Sequence, residues 1–204
     1  ILDAVLHPER PHPLREKFVE LALADTDRRV EEGRAVAPSF MLACMLWHDV
    51  QARWEVLRQA GEPPFPALQQ AIDAVFDARI GDISGRGKLA ADMREIWQMQ
   101  PRFERRTASS AASLAAQPRF RAGYDFLRLR ADVGEVDVDL ADWWEDYHLG
   151  DDDEREALVQ AVRESQGPKR LGSVRRVPVA TDEATPAAAA DAADEPADLD
   201  DDAH

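Results

Sequence analysis

The chain has 204 residues, 45% of them hydrophobic and 32% charged, with a formal net charge of −15 at pH 7. That apolar content supports one or two small domains, and with no run near the ~18 apolar residues of a membrane span and no signal peptide it predicts a cytoplasmic protein with no membrane partner. The single cysteine, Cys44, excludes a disulfide framework or a Cys-based zinc site within one chain; in the apolar stretch from Phe40 to Trp47 it reads as core rather than nucleophile.

The sequence opens on Ile1 rather than methionine, which we read as a piece of a longer protein. After Pro13 the spacing of Phe18, Leu21, Leu23 and Val30 predicts an amphipathic helix from Leu14 to about Glu32, stopped by Gly33. Pro38 and Ser39 then start a second helix reaching Ala60, the most hydrophobic of the chain, with Phe40, Ala43, Leu46, Trp47, Val50, Trp54 and Leu57 recurring at three and four residues. The prolines at 63, 64 and 66 form a rigid connector into a helix from about Ala67 to Arg79. A glycine-broken stretch follows, then a helix from Lys88 to Gln100 that Pro101 is expected to end.

Between Pro101 and Arg130 stand seven arginines, Arg102, Arg105, Arg106, Arg119, Arg121, Arg128 and Arg130, against only Glu104 and Asp125. Phe103, Phe120, Tyr124 and Phe126 are interleaved with them. Arginine pairs bidentately with phosphate and stacks on bases, and aromatic rings add stacking, so the mixture suits a single-stranded nucleic acid. The same residues also suit a helix with an aromatic core and a salt-bridged arginine face, and spacing alone does not separate the two. A helix from Arg119 to Val133 turns Phe120, Tyr124, Leu127 and Ala131 to one side, with Arg121, Arg128 and Arg130 mostly elsewhere.

Two further helices are expected, Asp139 to His148 and Asp151 to about Glu164. From Gln166 the pattern dissolves into a segment carrying Lys169, Arg170, Arg175 and Arg176, equally a second RNA contact or a charged linker. Beyond it, nine acidic residues from Asp182 to Asp202 have no lysine or arginine among them. No segment alternates like a strand. The expected fold class is all-α, a helical bundle-like body of about seven helices with a disordered acidic C-terminal tail.

The strings Pro101-Arg102-Phe103-Glu104-Arg105-Arg106 and Pro118-Arg119-Phe120-Arg121-Ala122-Gly123-Tyr124-Asp125-Phe126-Leu127-Arg128-Leu129-Arg130 resemble the C-terminal RNA-binding region of bacterial poly(A) polymerases. The likeness extends upstream through Ala24-Asp25-Thr26-Asp27-Arg28-Arg29, Leu46-Trp47-His48-Asp49-Val50 and Met93-Arg94-Glu95-Ile96-Trp97. Downstream it reaches Gly134-Glu135-Val136-Asp137 and Trp143-Trp144, so it covers roughly the first three quarters of the chain. Two departures stand out: the linker from Thr107 to Gln117 has lost the family's basic and aromatic contacts, and Ile83 to Lys88 keeps positive charge without the family's proline.

The resemblance implies a helical neck or body region at 1–100 and an arginine-rich RNA-binding helical region at 101–165, while composition predicts a disordered tail, basic then acidic, at 166–204. It implies that Arg102, Arg105, Arg106, Arg119, Arg121, Arg128 and Arg130 hold single-stranded RNA 3′ ends, with Phe103 or Tyr124 stacking a base. It also implies an upstream nucleotidyltransferase head using ATP and Mg2+, with RNA-decay proteins as partners. The sequence shows no Asp-x-Asp strand and no phosphate-cradling glycine loop, so no catalytic residue, metal ligand or cofactor is assigned within it. A CCA-adding enzyme and a non-enzymatic helical interaction module stay open as alternatives.

Two other features point elsewhere. His48-Asp49 matches the pair that opens the metal site of HD-type phosphohydrolases; without further ligands at matching spacing it reads as a surface or half-buried histidine beside an aspartate. Adjacent Trp143 and Trp144 cannot share one helix face, which predicts one in the core and the other at a domain edge or partner.

Overall fold

Apolar residues recurring at three and four positions give eight α-helices among the described residues of the computed structural model, which are residues 12–79 and 87–165. They are α1 (Arg15–Glu31), α2 (Pro38–Gln59), α3 (Pro64–Arg79), α4 (Lys88–Phe103), α5 (Ala108–Ala115), α6 (Phe120–Asp132), α7 (Val138–Leu149) and α8 (Asp152–Ser165). No strand occurs among these residues, and the fold is all-α as expected. The turns after α1 and α6 rest on Gly33 and Gly134 at φ 73° and 80°, a left-handed conformation that a Cβ would strain. The segments expected to carry the disordered tail and Lys169, Arg170, Arg175 and Arg176 lie outside the described residues.

Three boundaries differ from expectation. Helix α3 starts at Pro64, because prolines fit a first turn whose N–H groups have no helical partner in any case. Helix α4 does not stop at Pro101. The lost bond to the Trp97 carbonyl is offset by burial of Phe103, which is 0% exposed and whose carbonyl accepts a 2.9 Å hydrogen bond from Trp144 Nε1. The stretch from Thr107 to Gln117, expected as a linker, contains α5. Thr107 and Ser110 cap it reciprocally, and Ala111 and Leu114, three apart, are both fully buried.

Helix α2 packs against α1, α3 and α4, and α4 in turn against α5 and α6. The apolar side chains gather in two clusters. One holds Phe18, Trp47, Leu68, Ile72, Met93 and Trp97; the other holds Phe103, Leu114, Phe120, Tyr124, Leu127 and Trp144. Helices α4 and α6 serve both. Met93, Ile96 and Trp97 of α4 face the first and Met99 and Phe103 the second, while Phe126 and Leu129 of α6 join the first and Phe120, Tyr124 and Leu127 the second. No break therefore falls at residue 100, and the described residues lie in one compact unit. Cys44 is fully buried in the first cluster, and burial pushes its thiol pKa well up.

His48 corrects the expectation of a surface or half-buried ring. It is 0% exposed, stacked on His12 at 4.2 Å and met edge-on by Phe18 at 5.3 Å, with neither ring nitrogen hydrogen-bonded. Asp49 instead pairs with Arg15 at 2.8 Å. Burial, then the positive neighbourhood of His12, Arg15 and Arg130, lowers the His48 pKa to about 3. The folded value lies below the unfolded one near 6.5, so folding excludes a proton. The stability this gives is complete above about pH 6.5 and is lost as pH falls toward 3. Urea unfolding is expected to show a loss on the order of 2 kcal/mol between pH 6.5 and 5, and His48→Phe to flatten that slope; an unchanged slope in the variant would assign the acid sensitivity elsewhere.

Candidate nucleic-acid interface

The seven arginines that look alike in the sequence separate by what they touch. Arg130, on the buried side of α6, is 9% exposed. Its Nη1 donates to Gln100 Oε1 at 3.2 Å, its Nε lies 3.5 Å from Glu135 Oε2, and its guanidinium sits 5.0 Å from the Trp47 ring centroid. Glu135 also accepts from Trp47 Nε1 at 2.9 Å and from Gln51 Nε2. Burial lowers the Arg130 pKa against the pull of Glu135. Arg130 is thus an internal tie and is withdrawn from the predicted surface.

Arg119, Arg121 and Arg128 reach solvent but are held by carboxylates. Arg119 pairs with Asp92 and with Glu95 at 3.1 Å. Arg121 Nε lies 3.1 Å from Asp125. Arg128 reaches Asp142 at 2.6 Å and Glu145 at 2.7 Å and donates to the Tyr124 hydroxyl at 2.9 Å. Burial works against its charge, but the bonds to Asp142 and Tyr124 outweigh it and raise the pKa. Tyr124 itself is 5% exposed with its pKa raised by burial, and Phe103 is fully enclosed. Neither presents a face to a base, which corrects their assignment as stacking residues: the second cluster takes up both rings.

Arg102, Arg105 and Arg106 are different. They stand at the last turn of α4 and in the loop before α5, and among the described residues none of the three has a carboxylate within ion-pair distance. Arg105 is exposed, while Arg102 and Arg106 are half-buried. Arg106 lies 5.7 Å over the Trp143 ring, and its Nε is buried without a hydrogen-bond partner. The loop is pinned from below by Ser110 Oγ, which donates to the Arg105 carbonyl at 2.7 Å. These three arginines fall within five residues at the junction of α4 and α5, and bidentate contact with phosphate oxygens is chemically open to them.

Trp143 and Trp144 are both buried, at 8% and 0% exposed, against the expectation that one would sit at an edge. Helix α8 covers Trp143, whose Nε1 donates to the Leu158 carbonyl at 3.3 Å. No group of His, Cys, Asp or Glu among the described residues is arranged to hold a metal ion, and no helix among them is long and apolar enough to cross a membrane.

A family model described as polymerase A arginine-rich C-terminus matches residues 60–177, which take in the whole arginine segment and both clusters' shared helices α4 and α6. The chain belongs to this family. It is 30% identical over 154 residues to the poly(A) polymerase I of Haemophilus influenzae, covering 74% of this chain and 34% of that protein. With poly(A) polymerase I of Escherichia coli O157:H7 it shares 29% over 159 residues, and with that of Salmonella typhi 28% over 162 residues. It spans about a third of the length of these curated relatives.

Arg28 and Arg29, which lie before the residues matched by the family model, belong to the strings that carry the resemblance, yet the sequence alone assigns them no role. Arg29 Nε lies 2.7 Å from Asp25 and its Nη2 2.9 Å from Asp125, joining α1 to α6. The signal present in the sequence is Asp25, placed three and four residues before two arginines.

Proposed function

We propose that this chain is the RNA-holding C-terminal part of a bacterial poly(A) polymerase, positioning single-stranded 3′ ends for template-independent transfer of AMP from ATP. The observation that carries the reading is the group Arg102, Arg105 and Arg106, three arginines with no carboxylate partner among the described residues, in a protein of net charge −15. Electrostatic affinity for a strand depends on cations free to replace its counterions, and arginines already neutralised by aspartate and glutamate contribute little to it. Arg119, Arg121 and Arg128 then act as a fixed frame behind the three.

Adenylyl transfer needs metal-bound oxygens held by clustered carboxylates, and the carboxylates around the arginine segment are instead committed to arginines. The described residues do not fit an ATP and Mg2+ site, so we assign that chemistry to a catalytic part outside this chain. A cytoplasmic setting and RNA-decay proteins as partners belong to the same proposal. The test pairs two measurements on the purified chain. Fluorescence anisotropy should show a labelled single-stranded RNA binding with strong salt dependence, and incubation with ATP, magnesium and RNA should leave the RNA unextended. Template-independent extension by the chain alone would place the chemistry here and overturn the proposal.

A further inference from the structure

A groove between α1 and α6 lies apart from Arg102, Arg105 and Arg106. It consists of two adjoining hollows of about 420 and 270 Å3 that share Asp25, Arg29, Arg121 and Asp125. The smaller has an apolar floor of Val36, Phe40, Pro118 and Ala122. Along it the charges alternate as a ladder, Arg28 to Asp25 to Arg29 to Asp125 to Arg121, with Asp125 lying 2.9 Å from Arg29 and 3.1 Å from Arg121. Arg28 pairs onward with Glu32 at 3.2 Å, and the side chains of Arg28 and Arg121 are 53% and 62% exposed.

These features together select a ligand. Inorganic phosphate would gain nothing from the apolar floor and would meet two carboxylates, while an apolar peptide would cover the ladder without satisfying it. A nucleotide within a strand meets all of them. Its ring lies on the floor, and an exocyclic amine donates to a carboxylate of the ladder. Adenine and cytosine present such an amine, whereas uracil would turn carbonyl oxygens toward Asp25 and Asp125.

We propose that this groove receives one unpaired, amino-bearing base of the bound RNA, its ring on Val36, Pro118 and Ala122 and its exocyclic amine at Asp25 or Asp125. The inference rests on the RNA-holding reading and adds to it a site that distinguishes bases, built in part from α1 residues outside the arginine segment.

The test uses the full chain and two fluorescein-labelled strands, fifteen-residue oligo(A) and oligo(U). Ala35 lines the smaller hollow and is exposed, so Ala35→Trp fills the space without touching the core. Oligo(A) affinity is expected to fall about tenfold, the loss of one base packed on apolar surface, with oligo(U) little changed and the salt slope kept. An oligo(A) strand carrying 8-azidoadenosine should crosslink to residues 24–40 or 118–125. Wild-type oligo(A) affinity in Ala35→Trp, with crosslinks elsewhere, would overturn the groove alone if Arg102, Arg105 and Arg106 variants still weaken binding. Absence of any RNA binding by the wild-type chain would overturn both readings.

Discussion

Replacing Arg102, Arg105 and Arg106 together by alanine is expected to weaken single-stranded RNA binding about a hundredfold at 0.1 M salt. The figure follows from counterion release. Each phosphate neutralised on a single strand contributes about 0.7 to the log-log salt slope, so each contact is worth about fivefold between 1 M and 0.1 M salt. Three contacts multiply to about a hundredfold, and the slope should become shallower by about 2. Arg119→Ala offers the contrast. It removes a side chain already bound to Asp92 and Glu95, so the slope should barely move while thermal stability drops. Equal slopes in the triple variant and the wild type would show that the three arginines carry no phosphate, and the frame arginines would have to be reconsidered.

Trp144→Ala is expected to remove about 4 kcal/mol of stability, a loss at the upper end for a single core truncation. Trp144 is fully buried and ringed by Phe103 at 5.1 Å, Phe120 at 5.8 Å, Trp143 at 4.9 Å and Tyr147 at 5.6 Å. Its removal opens a cavity that a side chain from any one helix cannot fill. It also deprives the Phe103 carbonyl of its donor at the point where α4 has already given up a bond to Pro101. Against a typical total of roughly 5–15 kcal/mol, that loss leaves the fold marginal. Urea unfolding followed by circular dichroism measures it directly. Trp144→Phe, which keeps most of the packing but not the hydrogen bond, should lose less, and a loss below about 1 kcal/mol for the alanine variant would mean that the second cluster closes over the gap.

The helices were legible because their apolar periodicity is strong and their ends are marked. Gly33 and Gly134 stop helices where a positive φ is needed, and Phe120, Tyr124 and Leu127 point inward as their spacing predicts. Helix α5 is hard to see in the sequence for a physical reason. Alanine and serine have little hydrophobic contrast, so its face consists of only Ala111 and Leu114, and its capping pair of Thr107 and Ser110 reads as linker. Pro101 misleads in the opposite direction, since a local rule against proline yields to the burial of Phe103 two residues later.

The site was legible as a charge excess and illegible as a geometry. Which arginine is free depends on acids far away in the chain: Asp92 and Glu95 for Arg119, Asp142 and Glu145 for Arg128, Glu135 for Arg130. No local pattern around 101–130 distinguishes those three from Arg102, Arg105 and Arg106. The same holds for Phe103, whose place inside the protein is decided by Trp144.

The way the arginine loop is pinned bears on how selectively it grips. Arg102 rides on a helix anchored in both clusters, and the Arg105 backbone is tied to the cap of α5. The backbone spacing of the three cations is therefore set before any polyanion arrives, and little ordering entropy of the loop remains to be lost on binding. A free peptide of the same composition would wrap any phosphate chain at the cost of that entropy. This preset spacing instead favours strands whose phosphates can take up its curvature, so single strands that bend freely should outcompete stiff duplexes of equal charge.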